Sequence, residues 1–312
     1  MSDTAPPERL CVHESIDEKV PIESFVNTLD DLSVPVEIVG DDASFNETDV
    51  ITSYRPRDGF LDAGWVHCIR AGYDEFDTQA YEDAGTPLTN STGIHGTTVS
   101  ELVIGYMLMF ARRHHVYRDK QTRHQWYEPS YDRPFTVEGE SACVIGLGTI
   151  GRGIATRANT LGVDIVGVRR SNESVPGVST VYSPDSLQKA INDVRFVILA
   201  VPDTPETEDL ISTAELQCMR SDAYVINVAR GSVVDEDALI SALEDDIIAG
   251  AGLDVFRTEP LPESSPLWDF EEVIVSPHQG STTNQYHRDL AELTKEIFRQ
   301  HQSGEPLRNR VV

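Results

Sequence analysis

Short apolar runs alternate with segments of helical periodicity over the second half of the chain. From about residue 141, runs rich in Val, Ile, Leu and Ala are separated by stretches whose apolar positions repeat every three or four residues. This alternation is typical of parallel βαβ units, whose strands are buried on both faces. The predicted strands are 142–145, 164–168, 196–201, 224–228, 249–253 and 273–276, and the clearest helices are 150–161 and 235–243.

The first hundred residues repeat the alternation more weakly. Strands are predicted at 36–39, 50–52, 66–70 and 87–89, and helices at 22–29 and 77–84. Two long helices are also predicted, at 99–112 and from Thr282 to a stop at Gly304. We therefore expect an α/β fold with two doubly wound parallel sheets and a cleft between them. The expected domains are residues 1–98 with 285–312, and residues 99–284.

The charge of the chain argues against several classes of partner. It carries 52 acidic and 25 basic side chains, a formal net charge of −27. Such a surface repels nucleic acid phosphates and anionic lipid headgroups. The acidic residues are spread in twos and threes, and only four basic residues are lysines. We interpret this as a salt-adapted protein of the halophilic archaeal type. About 1 M salt shortens the Debye length to about 3 Å and so screens most of the repulsion among these negative charges.

Cysteine usage and the N-terminal sequence bear on location and metals. Cys11, Cys68, Cys143 and Cys218 show no paired spacing, so neither a disulfide framework nor a metal site is predicted. Residues 1–17 contain prolines and acids where a signal peptide needs a basic region and then an apolar one. The longest apolar run, 102–111, is too short to cross a bilayer. A cytoplasmic protein without membrane contact is expected.

A glycine motif lies between the first strand and the first helix of the second half. Gly146, Gly148 and Gly151 form the pattern Gly-x-Gly-x-x-Gly. The first glycine allows a tight turn, the second lets the backbone approach a pyrophosphate, and the third lets helix and strand pack closely. Thr149 and Ile150 then present the helix N-terminus to the anion. In this context the motif predicts a Rossmann-like dinucleotide-binding domain, and the alternative is a structural glycine turn.

Two adjacent arginines follow the next predicted strand. An acid at this position would accept from the ribose 2′-hydroxyl of NAD, but this chain has Arg169, followed by Arg170 and Ser171. These side chains can form charge-assisted hydrogen bonds with a 2′-phosphate. We therefore predict NADP rather than NAD, and the alternative is a solvated surface cluster.

Polar residues stand just past the other predicted strands. They are Thr204, Arg230, Asp254, Glu259 and His278. Because the carboxyl ends of parallel strands line one ligand crevice, these side chains can converge. An arginine can hold a substrate carboxylate, a histidine can give a proton to a carbonyl oxygen, and a carboxylate can orient that histidine. This set is typical of a ketoacid reductase.

Several segments of the chain resemble the D-isomer-specific 2-hydroxyacid dehydrogenases. The matching segments are 146–151, 201–207, 227–231, 250–256, 259–262 and 276–278, with weaker similarity at 70–74 and 304–307. The resemblance covers nearly the whole chain. It implies a flavodoxin-like substrate domain in the first part of the chain, a Rossmann domain in the second, closure of the two over a cleft, and a homodimer built on the cofactor domain. The segment 123–135, with Trp126 and Tyr131, is a candidate dimer arm or a simple apolar loop.

The resemblance also implies roles for individual residues. Arg230 would bind the substrate, His278 would be the acid/base, and Glu259 would hydrogen-bond His278 and favour its protonated form. The backbone amides of Ala71 and Gly72 would complete the carboxylate site, and Tyr54 is either a pocket residue or a surface tyrosine. Asp254 would contact the nicotinamide or act as a structural cap. Further cofactor contacts are expected at Val201, Pro202, Thr207, Val228, Ala229 and Gly280.

The sequence predicts one activity and leaves two alternative functions open. Arg169 departs from the acid that many relatives have, and Glu259 argues against a formate dehydrogenase, in which glutamine pairs with the histidine. The expected activity is the reduction of a small 2-ketoacid to the D-2-hydroxyacid. A glyoxylate or hydroxypyruvate reductase is the nearer alternative, and a non-catalytic, cofactor-sensing protein similar to a corepressor is the more distant one.

Overall fold

The computed structural model of the chain describes residues 6–171 and 173–312. The strands are β1 (Arg9–His13), β2 (Val36–Val39), β3 (Asp49–Ser53), β4 (Trp65–Cys68), β5 (Leu88–Asn90), β6 (Ser141–Ile145), β7 (Asp164–Val168), β8 (Thr180–Tyr182), β9 (Phe196–Leu199), β10 (Tyr224–Asn227), β11 (Gly250–Leu253) and β12 (Val273–Val275). The α-helices are α1 (Ile22–Thr28), α2 (Thr78–Ala84), α3 (Gly96–Arg112), α4 (His114–Thr122), α5 (Thr149–Thr160), α6 (Leu187–Ile191), α7 (Thr213–Cys218), α8 (Glu236–Glu244) and α9 (Tyr286–Ser303).

The described chain divides into two compact units. The first contains residues 6–95 together with Thr282–Val312, and the second contains Gly96–Ser281. The division thus falls after residues 95 and 281, where the sequence analysis placed it after residues 98 and 284. What each unit binds stays a prediction.

Both units contain a parallel sheet. The strand order is β2-β1-β3-β4-β5 in the first unit and β12-β11-β10-β9-β6-β7-β8 in the second. These are the two common doubly wound orders, in which the order reverses beside the first strand and leaves a crevice at the carboxyl ends. The expected α/β class, with two Rossmann-like sheets, is confirmed.

Two strands were missed by the sequence analysis. Residues 9–13 carry a charged residue at one end and a histidine at the other, yet β1 is an interior strand that pairs with both β2 and β3. Arg9 reaches Asp49 at 2.6 Å, which satisfies the charge. The other strand, β8, has only three residues and pairs with β7 at the sheet edge. Tertiary pairing, rather than a local pattern, defines these strands.

The helix ends that the sequence predicts have clear local causes. The Asp235 side chain caps α8 by accepting from the Ala238 amide at 3.1 Å. Gly304 ends α9 in the left-handed conformation, with φ of 69°. Helix α3 begins at Gly96, three residues earlier than the predicted residue 99. There it packs against α5 so closely that a Cβ on Gly153 would lie 2.4 Å from the Gly96 carbonyl oxygen.

Buried apolar side chains cover both faces of each sheet. In the second unit, β9 and β10 are buried throughout, and one cluster includes Val197 and Val225 while the other includes Ile198 and Ile226. Alternate residues of one strand therefore serve opposite cores, as expected for a parallel sheet between helices. In the first unit, α9 packs apolar residues such as Phe298 against the core.

The C-terminal residues pair with the edge of the first sheet. The Val311 amide donates to the Leu88 carbonyl at 2.7 Å, and the Asn90 amide donates to the Asn309 carbonyl at 3.1 Å. This antiparallel segment covers a strand edge that would otherwise expose unpaired backbone groups. No helix among the described residues is long and apolar enough to cross a membrane.

Candidate active site

The glycine loop between β6 and α5 is tight at its ends and open in its middle. Gly146 has φ of +94°, and a Cβ there would lie 2.4 Å from the Ala200 carbonyl oxygen. A Cβ on Gly151 would lie 1.8 Å from the Gly146 carbonyl oxygen. In contrast, a Cβ on Gly148 would meet no atom within 4 Å, and Gly148 and Thr149 are exposed. The loop therefore offers open space at the helix N-terminus, where a pyrophosphate would fit.

Two buried donors at the end of β7 have no partner among the described residues. They are Nη1 of Arg169 and the Ser171 hydroxyl. The other terminal nitrogen of Arg169, Nη2, lies 3.5 Å from Glu173 Oε2, and Arg170 is exposed. Buried donors without acceptors are costly, so this arrangement fits an anionic ligand that supplies the acceptors.

The loop after β9 is shaped by one hydroxyl group. Thr207 Oγ1 donates to the Pro202 carbonyl at 2.7 Å and accepts from the Thr204 amide at 2.9 Å. Val201 packs against the core beside the sheet. The structure thus gives Thr207 a role in holding the loop, whether or not it also contacts a cofactor.

Asn227 shapes the turn that carries Arg230 after β10. Its Oδ1 accepts from the Ala229 amide at 3.0 Å, and its Nδ2 donates to the Arg230 carbonyl at 2.9 Å. The Val228 amide donates to the Leu199 carbonyl at 3.3 Å, which continues the sheet pairing. Asn227 was not predicted as a site residue, although an asparagine just before a turn is a common local signal.

Gly231 brings this turn against the loop after β11. A Cβ on Gly231 would lie 1.9 Å from the carbonyl carbon of Phe256, so only glycine fits this contact. Arg230 is consequently held near the loop that contains Glu259, and its charge acts on that carboxyl group.

His278 and Glu259 form a direct pair. His278 Nδ1 lies 2.8 Å from Glu259 Oε2, and the side chains are 48% and 36% exposed. Glu259 Oε1 accepts from the Phe256 amide at 3.0 Å, which fixes the carboxylate. Burial alone would raise the pKa of Glu259, but the hydrogen bonds from His278 and Phe256 and the charges of His278 and Arg230 lower it. Glu259 is therefore a carboxylate that accepts from Nδ1, and this leaves Nε2 of His278 available.

Asp254 is buried beneath the histidine loop. Its carboxylate accepts from the amides of Gln279 and Gly280, at 2.9 and 2.8 Å, and from the Ser276 hydroxyl. Its carbonyl oxygen accepts from the His278 amide at 2.8 Å. These contacts favour the structural alternative for Asp254, and they engage both of its carboxylate oxygens.

The predicted substrate residues of the first unit lie at the carboxyl ends of β3 and β4. The Ala71 carbonyl accepts from Asn90 Nδ2 at 2.7 Å, which fixes the Ala71–Gly72 segment. The Tyr54 ring has the Arg70 guanidinium carbon 4.9 Å from its centroid. Lys19 Nζ and the Arg55 guanidinium carbon lie 5.3 and 5.6 Å from the same centroid. This group of three cations around the Tyr54 ring was not predicted, because its members are far apart in the chain.

Comparison with known families places the chain in one of them. The profile of the D-isomer specific 2-hydroxyacid dehydrogenase, NAD binding domain, matches residues 104–280. The chain belongs to the D-isomer specific 2-hydroxyacid dehydrogenase family and is an oxidoreductase of that family.

Individual relatives and solved structures agree with this assignment. The chain is 35% identical over 242 residues to the glyoxylate reductase of Korarchaeum cryptofilum, covering 75% of this chain and 71% of the relative. It is 34% identical over 227 residues to the glyoxylate/hydroxypyruvate reductase B of Yersinia pestis, covering 72% and 69%. A D-isomer specific 2-hydroxyacid dehydrogenase from Xanthobacter autotrophicus, solved with NADPH and MES, superposes with a TM-score of 0.84 at 29% identity, covering 98% of each chain.

Proposed function

We propose that the protein is an NADP-dependent D-2-hydroxyacid dehydrogenase that reduces small 2-ketoacids. The observation that carries the proposal is the pair of Glu259 and His278. They follow β11 and β12, respectively, at the sheet edge that also presents Arg230 and the glycine loop. A bound NADPH would supply the hydride to the carbonyl carbon.

The side chains of the second unit have separate tasks in this proposal. Arg230 holds the substrate carboxylate and stabilises the charge that develops on the carbonyl oxygen. His278 gives the proton from Nε2 to that oxygen, because Nδ1 is engaged by Glu259. Glu259 keeps the ring in place and stabilises the positive charge of the protonated imidazole.

We assign the first unit to the substrate. The backbone amides of Ala71 and Gly72 would bind the substrate carboxylate, and Tyr54 would line the pocket. In the second unit, the glycine loop with Thr149 and Ile150, the loop residues Val201, Pro202 and Thr207, and the segment of Val228 and Ala229 would line the cofactor site with Gly280.

Turnover by the site can be tested with a panel of ketoacids in high salt, followed by NADPH absorbance. His278→Ala is expected to lower kcat about 10²–10⁴-fold, because it removes the proton donor. The matched control is His114→Ala, an exposed histidine of the same unit. Wild-type turnover in the His278→Ala or Glu259→Gln protein would refute the proposal. Absence of NADPH oxidation with every ketoacid would favour the cofactor-sensing alternative.

The substrate in this proposal is a small ketoacid. The relatives named above are reductases of glyoxylate and hydroxypyruvate, which makes these two compounds the first members of the panel. A kcat/KM for glyoxylate and hydroxypyruvate above that for longer ketoacids would identify a glyoxylate/hydroxypyruvate reductase. The opposite order would assign the chain to dehydrogenases of longer hydroxyacids.

The preference for NADP rests on Arg169, Arg170 and Ser171. The two buried donors without partners at this position support a 2′-phosphate ligand, and the Xanthobacter relative was solved with NADPH. Arg169→Asp is expected to weaken NADPH binding about 10-fold or more, since a charge-assisted contact of roughly 1.5–3 kcal/mol is lost. A wild-type preference for NAD, or a variant with unchanged preference, would contradict this assignment.

Assembly, location and salt response complete the proposal. Trp126 and Tyr131 in the segment 123–135 are 93% and 101% exposed, and large exposed aromatic residues favour an arm that covers a second copy. A homodimer through the cofactor domain would show in sedimentation and dissociate on Trp126→Ser.

The salt-adapted character predicts loss of structure between molar and millimolar salt, and indifference to salt would overturn it. Location in the cytoplasm stays a prediction.

A further inference from the structure

A tyrosine of α3 reaches the strand end that precedes His278. Tyr106 is buried, and its hydroxyl oxygen lies 2.5 Å from Ser276 Oγ. Ser276 Oγ in turn bonds to Oδ1 of Asp254. Tyr106 and Ser276 are 170 residues apart in the sequence, and nothing in the apolar pattern of α3 marks Tyr106 as different from its neighbours.

The chemistry of the three groups fixes the direction of these hydrogen bonds. A carboxylate only accepts, so Ser276 donates to Asp254. Burial raises the pKa of Tyr106, and the nearby charge of Asp254 raises it further, so the phenol keeps its proton. Tyr106 therefore donates to Ser276, and Ser276 donates to Asp254. The three groups form one chain of hydrogen bonds that ends on the Asp254 carboxylate.

Asp254 passes this constraint to the backbone around His278. Its carboxylate accepts from the Gln279 and Gly280 amides, and its carbonyl oxygen accepts from the His278 amide. His278 has φ of +53°, a left-handed conformation that is strained for a residue other than glycine. Such a conformation persists only where the surrounding contacts determine it, and here the contacts converge on Asp254.

We propose that Tyr106 and Ser276 are positioning residues for the proton donor. They fix the Asp254 carboxylate, which holds the His278 backbone in the conformation that brings Nδ1 to Glu259. The inference rests on the proposed role of His278, but it concerns residues that do not belong to the pair itself.

The first test is Tyr106→Phe, which removes one oxygen and keeps the ring that packs against Gly252. We expect kcat to fall about 10-fold and KM to change less than about 2-fold, because small displacements of a catalytic group can cost up to roughly 10²-fold. Ser276→Ala removes the donor to Asp254 itself and is expected to have a larger effect. Tyr117→Phe, on α4, is the matched control.

Two readouts separate positioning from a general loss of stability. Weaker contact between His278 and Glu259 leaves the protonated imidazole less favoured, so the alkaline limb of the kcat profile should move to lower pH in Tyr106→Phe. The amides of Gln279 and Gly280 should exchange hydrogen faster, which can be measured without turnover. An unchanged profile together with unchanged exchange would overturn the proposal, even if the melting temperature falls.

Failure of the proposed function has a different signature. If His278→Ala keeps wild-type turnover, the role of His278 is wrong. If His278→Ala is inactive while Tyr106→Phe keeps the kcat, pH profile and amide exchange of the wild type, only the positioning role is wrong.

Discussion

At the reversal point of the second sheet, beside β6 and β9, the chain has glycines, and a Cβ on Gly148 would meet no neighbour. At the reversal point of the first sheet, beside β1 and β3, it has side chains that bond to one another. His13 Nδ1 lies 2.9 Å from Ser15 Oγ, which lies 3.2 Å from Ser53 Oγ. A reversal of strand order therefore lies beside glycines in one sheet and beside hydrogen-bonded side chains in the other. Gly148 leaves room next to the backbone at the second reversal point, where the proposed cofactor would lie.

The largest expected effect is a loss of stability when a methyl group is added at Gly151. Gly151→Ala would set a methyl group 1.8 Å from the Gly146 carbonyl oxygen, so backbone must move. We expect about 3 kcal/mol of destabilisation, or roughly 6–12 °C for a unit of this size, in thermal unfolding.

Gly148→Ala tests the open position of the same glycine loop. Its φ of −76° suits alanine and its methyl group would enter open space. We therefore expect unchanged or slightly higher stability but weaker NADPH binding, measured by fluorescence titration. Equal losses of stability in both glycine variants would show that the two positions do not differ as described.

The second prediction concerns acid and the buried histidines. Burial lowers the pKa of His13, His67 and His301 in the first unit, in the case of His67 to about 3, and it lowers the pKa of His115 in the second. His67 Nε2 lies 3.1 Å from Ser91 Oγ, and its Nδ1 lies 2.8 Å from Thr89 Oγ1. Ser91 donates to the Cys68 carbonyl, so the neutral ring donates from Nε2 and accepts at Nδ1.

The sign of the pH effect follows from these lowered values. Stability is fully present above the unfolded pKa of about 6.5 and is lost as pH falls toward the folded value, by up to about 1.4 kcal/mol per pH unit for each histidine. We expect the first unit to unfold before the second on acidification. In a Trp126→Phe, Trp268→Phe background, Trp65 becomes the only tryptophan and reports on the first unit. Unfolding of the second unit first, seen by hydrogen exchange, would contradict the prediction.

Removal of residues 309–312 should have a smaller effect. It deletes the backbone bonds to Leu88 and Asn90 and the contacts of Val311 with the core, and it exposes the edge of β5. We expect about 1–2 kcal/mol of destabilisation confined to the first unit, with a greater tendency to associate. Asn309→Gly removes the side-chain bonds and suits the φ of 57° at this position, so it serves as the milder comparison. A truncated protein with the wild-type melting profile would show that this edge needs no cover.

The smallest expected effect is at Tyr54. Tyr54→Leu removes the ring that three cations surround, and such contacts contribute about 0.5–1 kcal/mol each at exposed sites. If Tyr54 lines the substrate pocket, KM for the ketoacid should rise up to about 5-fold with kcat unchanged. An unchanged KM would assign Tyr54 to the surface.

Residues whose role is local could be found from the sequence. The glycine loop, the helix start at residue 235 and the helix stop at Gly304 were predicted because neighbouring residues alone determine them. Glu259 and His278 were grouped because parallel strands bring their ends together, and the structure places them 2.8 Å apart.

Roles that depend on packing between distant elements could not be found in this way. The interior strand β1 is defined by its two partners rather than by its own pattern. Asn227 acts through backbone groups, and Ser276 acts through the carboxylate of Asp254, so a search for chemical side chains passes over both. The contacts of Asp254 also depend on the fold, because the amides of Gln279 and Gly280 come from a loop about 25 residues further along the chain.

The division of the first unit between the two ends of the chain has a consequence for synthesis. Its core needs apolar residues of α9 such as Phe298, which the ribosome adds only after the whole of the second unit. At about 5–20 residues per second, the early strands wait on the order of 10–40 s for that helix. The later-made unit can thus be complete first, and newly made β1–β5 are the part of the nascent chain most in need of chaperone protection.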